Sequence, residues 1–157
     1  RQMCIRDRGY SVVLVQKEQA SFANVIDRTG DLPIAERIAD LHHCEFFVGL
    51  GSGLSWLAWA LEKPVVLISG FSEPWAEFAD QCYRVMNTDV CTGCWNDPEH
   101  TFDRGNWRWC PRHEGTARQF ECSRSITPEM VMDRITDLLG DHRSTDSPQP
   151  HIEEIRT

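Results

Sequence analysis

The chain has 157 residues, 41% of them hydrophobic, and a formal net charge of −8 from 16 basic and 24 acidic side chains. That length suits one domain with a proper core and is too short for two comfortable ones. The acidic balance argues against a nucleic-acid or anionic-membrane surface. The most apolar run, Phe46 to Leu61, is broken by three glycines and falls short of the roughly 20 residues a bilayer needs.

The first ten residues hold three arginines and no apolar stretch of a secretion signal, so a cytoplasmic, thiol-reducing compartment is expected. Met3 to Arg8, MCIRDR, resembles the translated end of a sequencing adapter. Residues 1–8 are therefore read as an artefact, with genuine sequence starting near Gly9 and a further part of the protein upstream.

Ser11 to Gln16, SVVLVQ, is β-branched and reads as a buried strand. NVIDRTGD gives a short second strand and a turn at Thr29, Gly30 and Asp31. From Pro33 to Cys44 the spacing of Ile34, Ile38 and Leu41 predicts a helix, with Pro33 tolerated in its first turn. EFFVGLGSG is a third strand running into glycines, Leu54 to Leu61 a helix apolar nearly all round, and KPVVLISG a fourth strand. This alternation predicts parallel βαβ units in an α/β, Rossmann-like sheet.

After the apolar YRVMN the pattern dissolves, and residues 88–124 are polar and turn-rich, with Trp95, Trp107 and Trp109 among them. Order returns with a cap and proline at Thr127 and Pro128. The stripe of Val131, Ile135, Leu138 and Leu139 then predicts a helix that closes at Gly140. The tail, residues 141–157, is expected to be disordered.

Two stretches carry chemistry. Gly51, Ser52, Gly53, Leu54 and Ser55 lie where a strand hands over to a helix, the end of an open α/β sheet at which ligands bind. Free first-turn N–H groups at Gly53, Leu54 and Ser55, the Ser52 hydroxyl and the positive end of the helix dipole suit a phosphate. An ordinary tight turn is the competing reading, since G-x-G-x-x-G is not matched at its third position.

The second is Cys91, Cys94, Cys110 and Cys122, spaced C-x2-C-x15-C-x11-C. Four thiolates suit tetrahedral zinc or iron, without separating the two. A polar loop this long calls for such a staple. A redox dithiol would use only Cys91 and Cys94, and disulfides conflict with the compartment. Cys44 and Cys82 read as core residues, and His100 and His113 as solvated loop residues that could substitute as ligands. The finger's arginines, Arg104, Arg108, Arg112, Arg118 and Arg124, are balanced by Asp97, Glu99, Asp103, Glu114 and Glu121, which reads as a self-paired surface.

The segment from about residue 24 to 80, with FFVGLGSGLSWLAWALEKPVVLISGFSEP, resembles the nucleotide-binding part of bacterial heptosyltransferases, enzymes of the two-domain GT-B fold. VCTGCWND, FDRGNWRWCPRH and FECSRSITPEMV resemble the autotransporter heptosyltransferases, which insert a four-cysteine iron finger. The resemblance implies that residues 9–140 are a C-terminal, donor-binding GT-B domain with a metal finger at 88–124. It implies that Ser52, Gly53 and Leu54 line the diphosphate of ADP-heptose and that Leu32 lies by the adenine, with Gly51 and Ser55 completing the expected nucleotide-sugar-binding set. It further implies structural iron on the four cysteines, a homo-oligomer, an autotransporter adhesin as acceptor, and catalytic residues in an upstream domain. Gly51 stands where the heptosyltransferases usually have Asp and Trp56 where they have His, which bears on sugar selectivity. The alternatives are a lipopolysaccharide heptosyltransferase and a non-catalytic metal ribbon that binds proteins.

Overall fold

In the computed structural model residues 9–20, 22–106 and 108–145 are described. The adapter-like residues 1–8 and positions 146–157 of the tail lie outside them. Among the described residues five short strands and four helices follow in the order β1 (Val13–Leu14), β2 (Ile26–Asp27), α1 (Ile34–His42), β3 (Phe47–Leu50), α2 (Gly53–Ala60), β4 (Val65–Ile68), β5 (Cys82–Val85), α3 (Glu121–Arg124) and α4 (Pro128–Thr145). Single 3-10 turns at Pro74–Ala76 and Cys94–Asn96 punctuate the loops. Every strand pair is parallel, β1 with β2 and, in the order β3-β4-β5, the other three.

β4 is the centre of the molecule. Its register pairs Val65 with Phe47 and Cys82, and Ile68 with Leu50 and Val85. Successive residues point to opposite faces, so a strand buried on both sides must be apolar throughout. Val65 and Leu67 accordingly join Val15, Leu41, Ala58 and Phe78 in one core, under α1 and α2. Val66 joins Val85, Ile135 and Leu138 in the other, under α4.

Helix α1 departs from its apolar stripe. Leu41 is buried, but Ile34 and Ile38 are exposed and Arg37 is 6% exposed in their place. The physical reason lies in the ends of β1 and β2. Arg37 donates to the carbonyls of Arg28, Gly30 (2.6 Å) and Gln16 (3.4 Å); the last also accepts from Gly30 N–H at 3.1 Å, so Arg37 chiefly serves the first two. Arg28 in turn donates to Asp40 at 2.8 Å and Glu36 at 3.0 Å. Replacing Arg37 by Ala takes the donor from the Arg28 and Gly30 carbonyls and one of two guanidinium partners from the largely buried Asp40 carboxylate. Urea melts should register a loss of about 3 kcal/mol; a loss below ~0.5 kcal/mol would contradict this account.

Two further expectations change. The α2 surface is not buried all round, because Trp56 and Trp59 stay 43% and 36% exposed; they meet each other edge-on, and Phe78 takes Trp56 edge-on and Trp59 face to face. At the other end, α4 does not close at Gly140 but continues to Thr145. One cause is local: Asp141 accepts a 2.9 Å hydrogen bond from the Tyr83 hydroxyl on β5, which ties the extra turn to the sheet. The tail thus starts as helix at 141–145. Among the described residues no helix is long and apolar enough to cross a membrane.

Candidate functional site

The glycine turn forms where the sequence places it. Gly51, Ser52 and Gly53 are exposed at the end of β3, Leu54 is half-buried, and Ser55 is fully buried. Ser52 precedes α2 with extended backbone (φ −154°, ψ 173°). The Ser55 hydroxyl accepts from the Ser52 N–H at 3.0 Å and donates to the Ser52 carbonyl at 2.7 Å. Its side chain is thereby spent on capping the helix, and its N–H points back at the Ser52 side chain in the other half of the capping box. A side chain added at Gly53 would meet nothing within 4 Å, so the start of α2 is open. At Gly51 the reverse holds: a Cβ would overlap the Glu77 carboxylate.

Leu32 sits half-buried in the loop between β2 and α1. An open depression of about 480 Å³ is lined by Gln19, Ala20, Asp27 and Thr29, at the ends of β1 and β2. Neither Leu32 nor the glycine turn lines it.

The cysteine segment folds as turns around its own small aromatic core, which its polarity concealed. Phe71, Trp95, Phe102 and Trp109 pack edge to face with ring centroids 4.3 to 6.2 Å apart, and Trp109 is only 8% exposed. Phe71 belongs to the loop after β4, and more than packing joins that loop to the flap. Gly93 N–H donates to the Gly70 carbonyl (3.1 Å), Trp95 N–H to that of Phe71 (3.0 Å), and Asn96 accepts from Glu73 N–H (2.8 Å). Gly70 lets the Cys122 backbone lie against it, and Gly93, at φ 75°, lies against the Glu73 carboxylate. Gly93 therefore meets both conditions that favour glycine. Gly93→Ala should cost about 1–2 kcal/mol from the left-handed conformation alone, read as a lower melting temperature.

Cys94 and Cys110 are buried, and Cys91 and Cys122 half-buried. Burial first, and then the neighbouring charges of Cys91 and Cys110, push the Cys94 thiol up to about 11. Burial and the charges of Cys110 and Cys91 also raise Cys122. Backbone and side-chain donors already point at sulfur: Phe120 N–H at Cys110 Sγ (3.5 Å) and Arg112 at Cys91 Sγ (3.6 Å).

Among the described residues the donor atoms lying within 4.8 Å of one another are those of Cys91, His113 and Glu121; the four sulfurs are not drawn in that far as a set. His113, read from the sequence as a solvated residue that could substitute as a ligand, is thus beside the cluster, 3.5 Å from Glu121. Around the rim Arg112 pairs with Asp97 and donates to Thr92 O at 2.8 Å, while Arg118 pairs with Glu121 at 2.5 Å. The guanidinium of Arg112 holds Asp97 below the usual carboxylate range, and Arg118 does the same for Glu121. Two of the five arginines are thereby self-paired. The donors within reach of one another are one sulfur, one imidazole nitrogen and one carboxylate oxygen. Three more thiols lie in the same flap and N–H groups are aimed at Cys91 and Cys110, a set that fits a thiophilic metal such as iron or zinc.

Fold and site together define a parallel α/β domain with a cysteine-rich flap clamped over the end of its central strand. No family model matches the chain. Curated relatives do. The chain is 54% identical over 136 residues to the autotransporter heptosyltransferase Aah of Escherichia coli, and 50% identical over 145 residues to TibC of E. coli O78:H11. These matches cover 81% and 92% of the chain, and it spans about a third (34%) of each relative.

A further relative, 42% identical over 140 residues, is BimC of Burkholderia thailandensis, described as an inactive autotransporter heptosyltransferase. Structurally, the chain superposes on TibC with a TM-score of 0.82 at 42% identity, covering 91% of this chain and 40% of that one. That TibC is described as a dodecameric, iron-containing heptosyltransferase in complex with ADP-D-β-D-heptose. The chain is a homologue of the autotransporter heptosyltransferases.

Proposed function

We propose that this chain is the C-terminal, donor-binding domain of a GT-B protein O-heptosyltransferase, with a structural iron finger at 88–124. The observation that carries the reading is the superposition, over 91% of the chain, on a heptosyltransferase described with its sugar nucleotide and iron.

The donor is ADP-heptose. Its diphosphate lies at the start of α2, against Gly51, Ser52 and the main chain of Gly53, Leu54 and Ser55, with Leu32 toward the adenine. In the transfer, a serine hydroxyl of an autotransporter adhesin attacks the anomeric carbon. The bond from that carbon to the phosphate oxygen breaks, and ADP leaves with the electron pair. Charge grows on the diphosphate as the bond breaks. N–H groups already pointing at it stabilise that charge without reorganising. The base that takes the serine proton belongs to the part of the protein beyond this third, and so does the acceptor site. This chain alone binds donor and does not turn over.

Cys91, Cys94, Cys110 and Cys122 would hold the iron, with zinc as the alternative, in a structural role: the ion crosslinks the flap. Further parts of the proposal are a homo-oligomer in a bacterial cytoplasm. Because one relative is described as inactive, binding and transfer are tested separately. Calorimetry of the chain with ADP should give saturable, one-to-one binding, and elemental analysis about one iron or zinc per chain. A chain that folds, carries metal and gives no heat with ADP is a protein-binding ribbon instead.

A further inference from the structure

Glu77, in the loop between β4 and β5, aims its carboxylate at Gly51 of the glycine turn. Its side chain is only 11% exposed. One oxygen, Oε2, is pinned by Arg84 at 2.7 Å and by the Ser72 hydroxyl at 3.1 Å. The other, Oε1, takes the room that a side chain at Gly51 would fill. Among the described residues no hydrogen bond to Oε1 is formed, and the charge is offset by Arg84 alone.

Oε1 is not among the fully buried atoms left without a partner, so water reaches it, and a ligand over the turn would displace that water and has to bring a donor of its own. Phosphate oxygens accept and are repelled by a carboxylate, so the partner is not the diphosphate. A cation is disfavoured by the adjacent guanidinium. Hydroxyls remain: they donate, and they flank a sugar-nucleotide diphosphate on both sides, from the ribose and from the transferred sugar. We propose that Glu77 is a specificity-determining residue that accepts a hydrogen bond from a sugar hydroxyl next to the diphosphate. Gly51 is small so that this oxygen can reach the mouth of the turn. The inference rests on the donor-binding reading above and adds the residue that distinguishes a sugar nucleotide from a bare pyrophosphate.

The test is Glu77→Gln in the full chain, titrated with inorganic pyrophosphate, ADP and ADP-heptose. Glutamine keeps the shape. Arg84 and Ser72 both donate, so the amide oxygen turns to them and its NH2 faces the turn, in place of a charged acceptor. Pyrophosphate should bind as well or better, while ADP-heptose weakens roughly tenfold, the worth of one charge-assisted hydrogen bond.

If ADP is unaffected, the hydroxyl is on the transferred sugar; if ADP weakens equally, it is on the ribose. Either result supports the role. Equal losses for all three ligands mean that Glu77 only braces the loop, and no change means that it faces no ligand; either overturns the inference. A wild-type chain that binds none of the three overturns the donor-binding reading itself, a result visible before any variant is made.

Discussion

Cys94→Ser is expected to abolish stoichiometric metal binding and to lower the melting temperature by roughly 10 °C or more. Structural zinc sites contribute on the order of 10 kcal/mol, and even a third of that shifts a domain of this size by about 10 °C. Cys94 is chosen because it is buried (6% exposed) and sits between the two backbone hydrogen bonds that fasten the flap to the sheet, Gly93 to Gly70 and Trp95 to Phe71. The change removes one sulfur and leaves the volume nearly as it was.

The effect should not stop at the flap. Gly70 to Glu73 lead directly into the loop that seats Glu77 over Gly51. Releasing the metal should therefore also weaken ADP-heptose binding, although no cysteine touches the turn. Retained metal with an unchanged melting temperature would remove the finger from the account.

Proton linkage gives an independent check. Cys94 holds its proton up to about 11, so metal must displace it, and tighter uptake is expected as pH rises, with protons released into a weakly buffered solution.

How much of this could be read in advance follows from what kind of signal each feature leaves. β4 was legible because a strand buried on both faces must be apolar at every position, and Val65 to Ile68 offers no other reading. The glycine turn was legible because a helix start after a strand needs Ser52 and its glycines locally. α1 was misread because its inward residue is chosen by distant partners. Arg37 is buried for the carbonyls of Gln16, Arg28 and Gly30, which no helical periodicity records.

The aromatic core of the flap was hidden for the same reason. Phe71 is far in sequence from Phe102 and Trp109 and meets them only once the turns are formed. Cysteine spacing named four sulfurs, but not His113 or Arg112, whose places depend on how the chain folds back on Cys91. Glu77 left no signal at all: an isolated acid in a loop looks like any solvated residue until Gly51 is seen to make room for it.

Gly53→Asp separates the stability of the turn from its proposed work, because the two should move in opposite directions. The position is open, with nothing within 4 Å of an added Cβ, and it is the first residue of α2. An aspartate there faces the positive helix end, a gain of about 0.3–1 kcal/mol. Losing a glycine also narrows the unfolded ensemble, worth a further ~0.4–1 kcal/mol. The variant should melt a few degrees higher.

A diphosphate at the same N–H groups would instead meet a fixed negative charge about 4 Å away, costing roughly 1–4 kcal/mol for each unit of its charge. ADP affinity should drop at least tenfold, more at low salt than at high. Gly53→Ala, which fits the same space and brings no charge, should bind ADP within a few-fold of wild type. If the aspartate variant melts higher and still binds ADP with unchanged affinity, the phosphate lies elsewhere. The depression beside Asp27 and Thr29 would then be the next place to look.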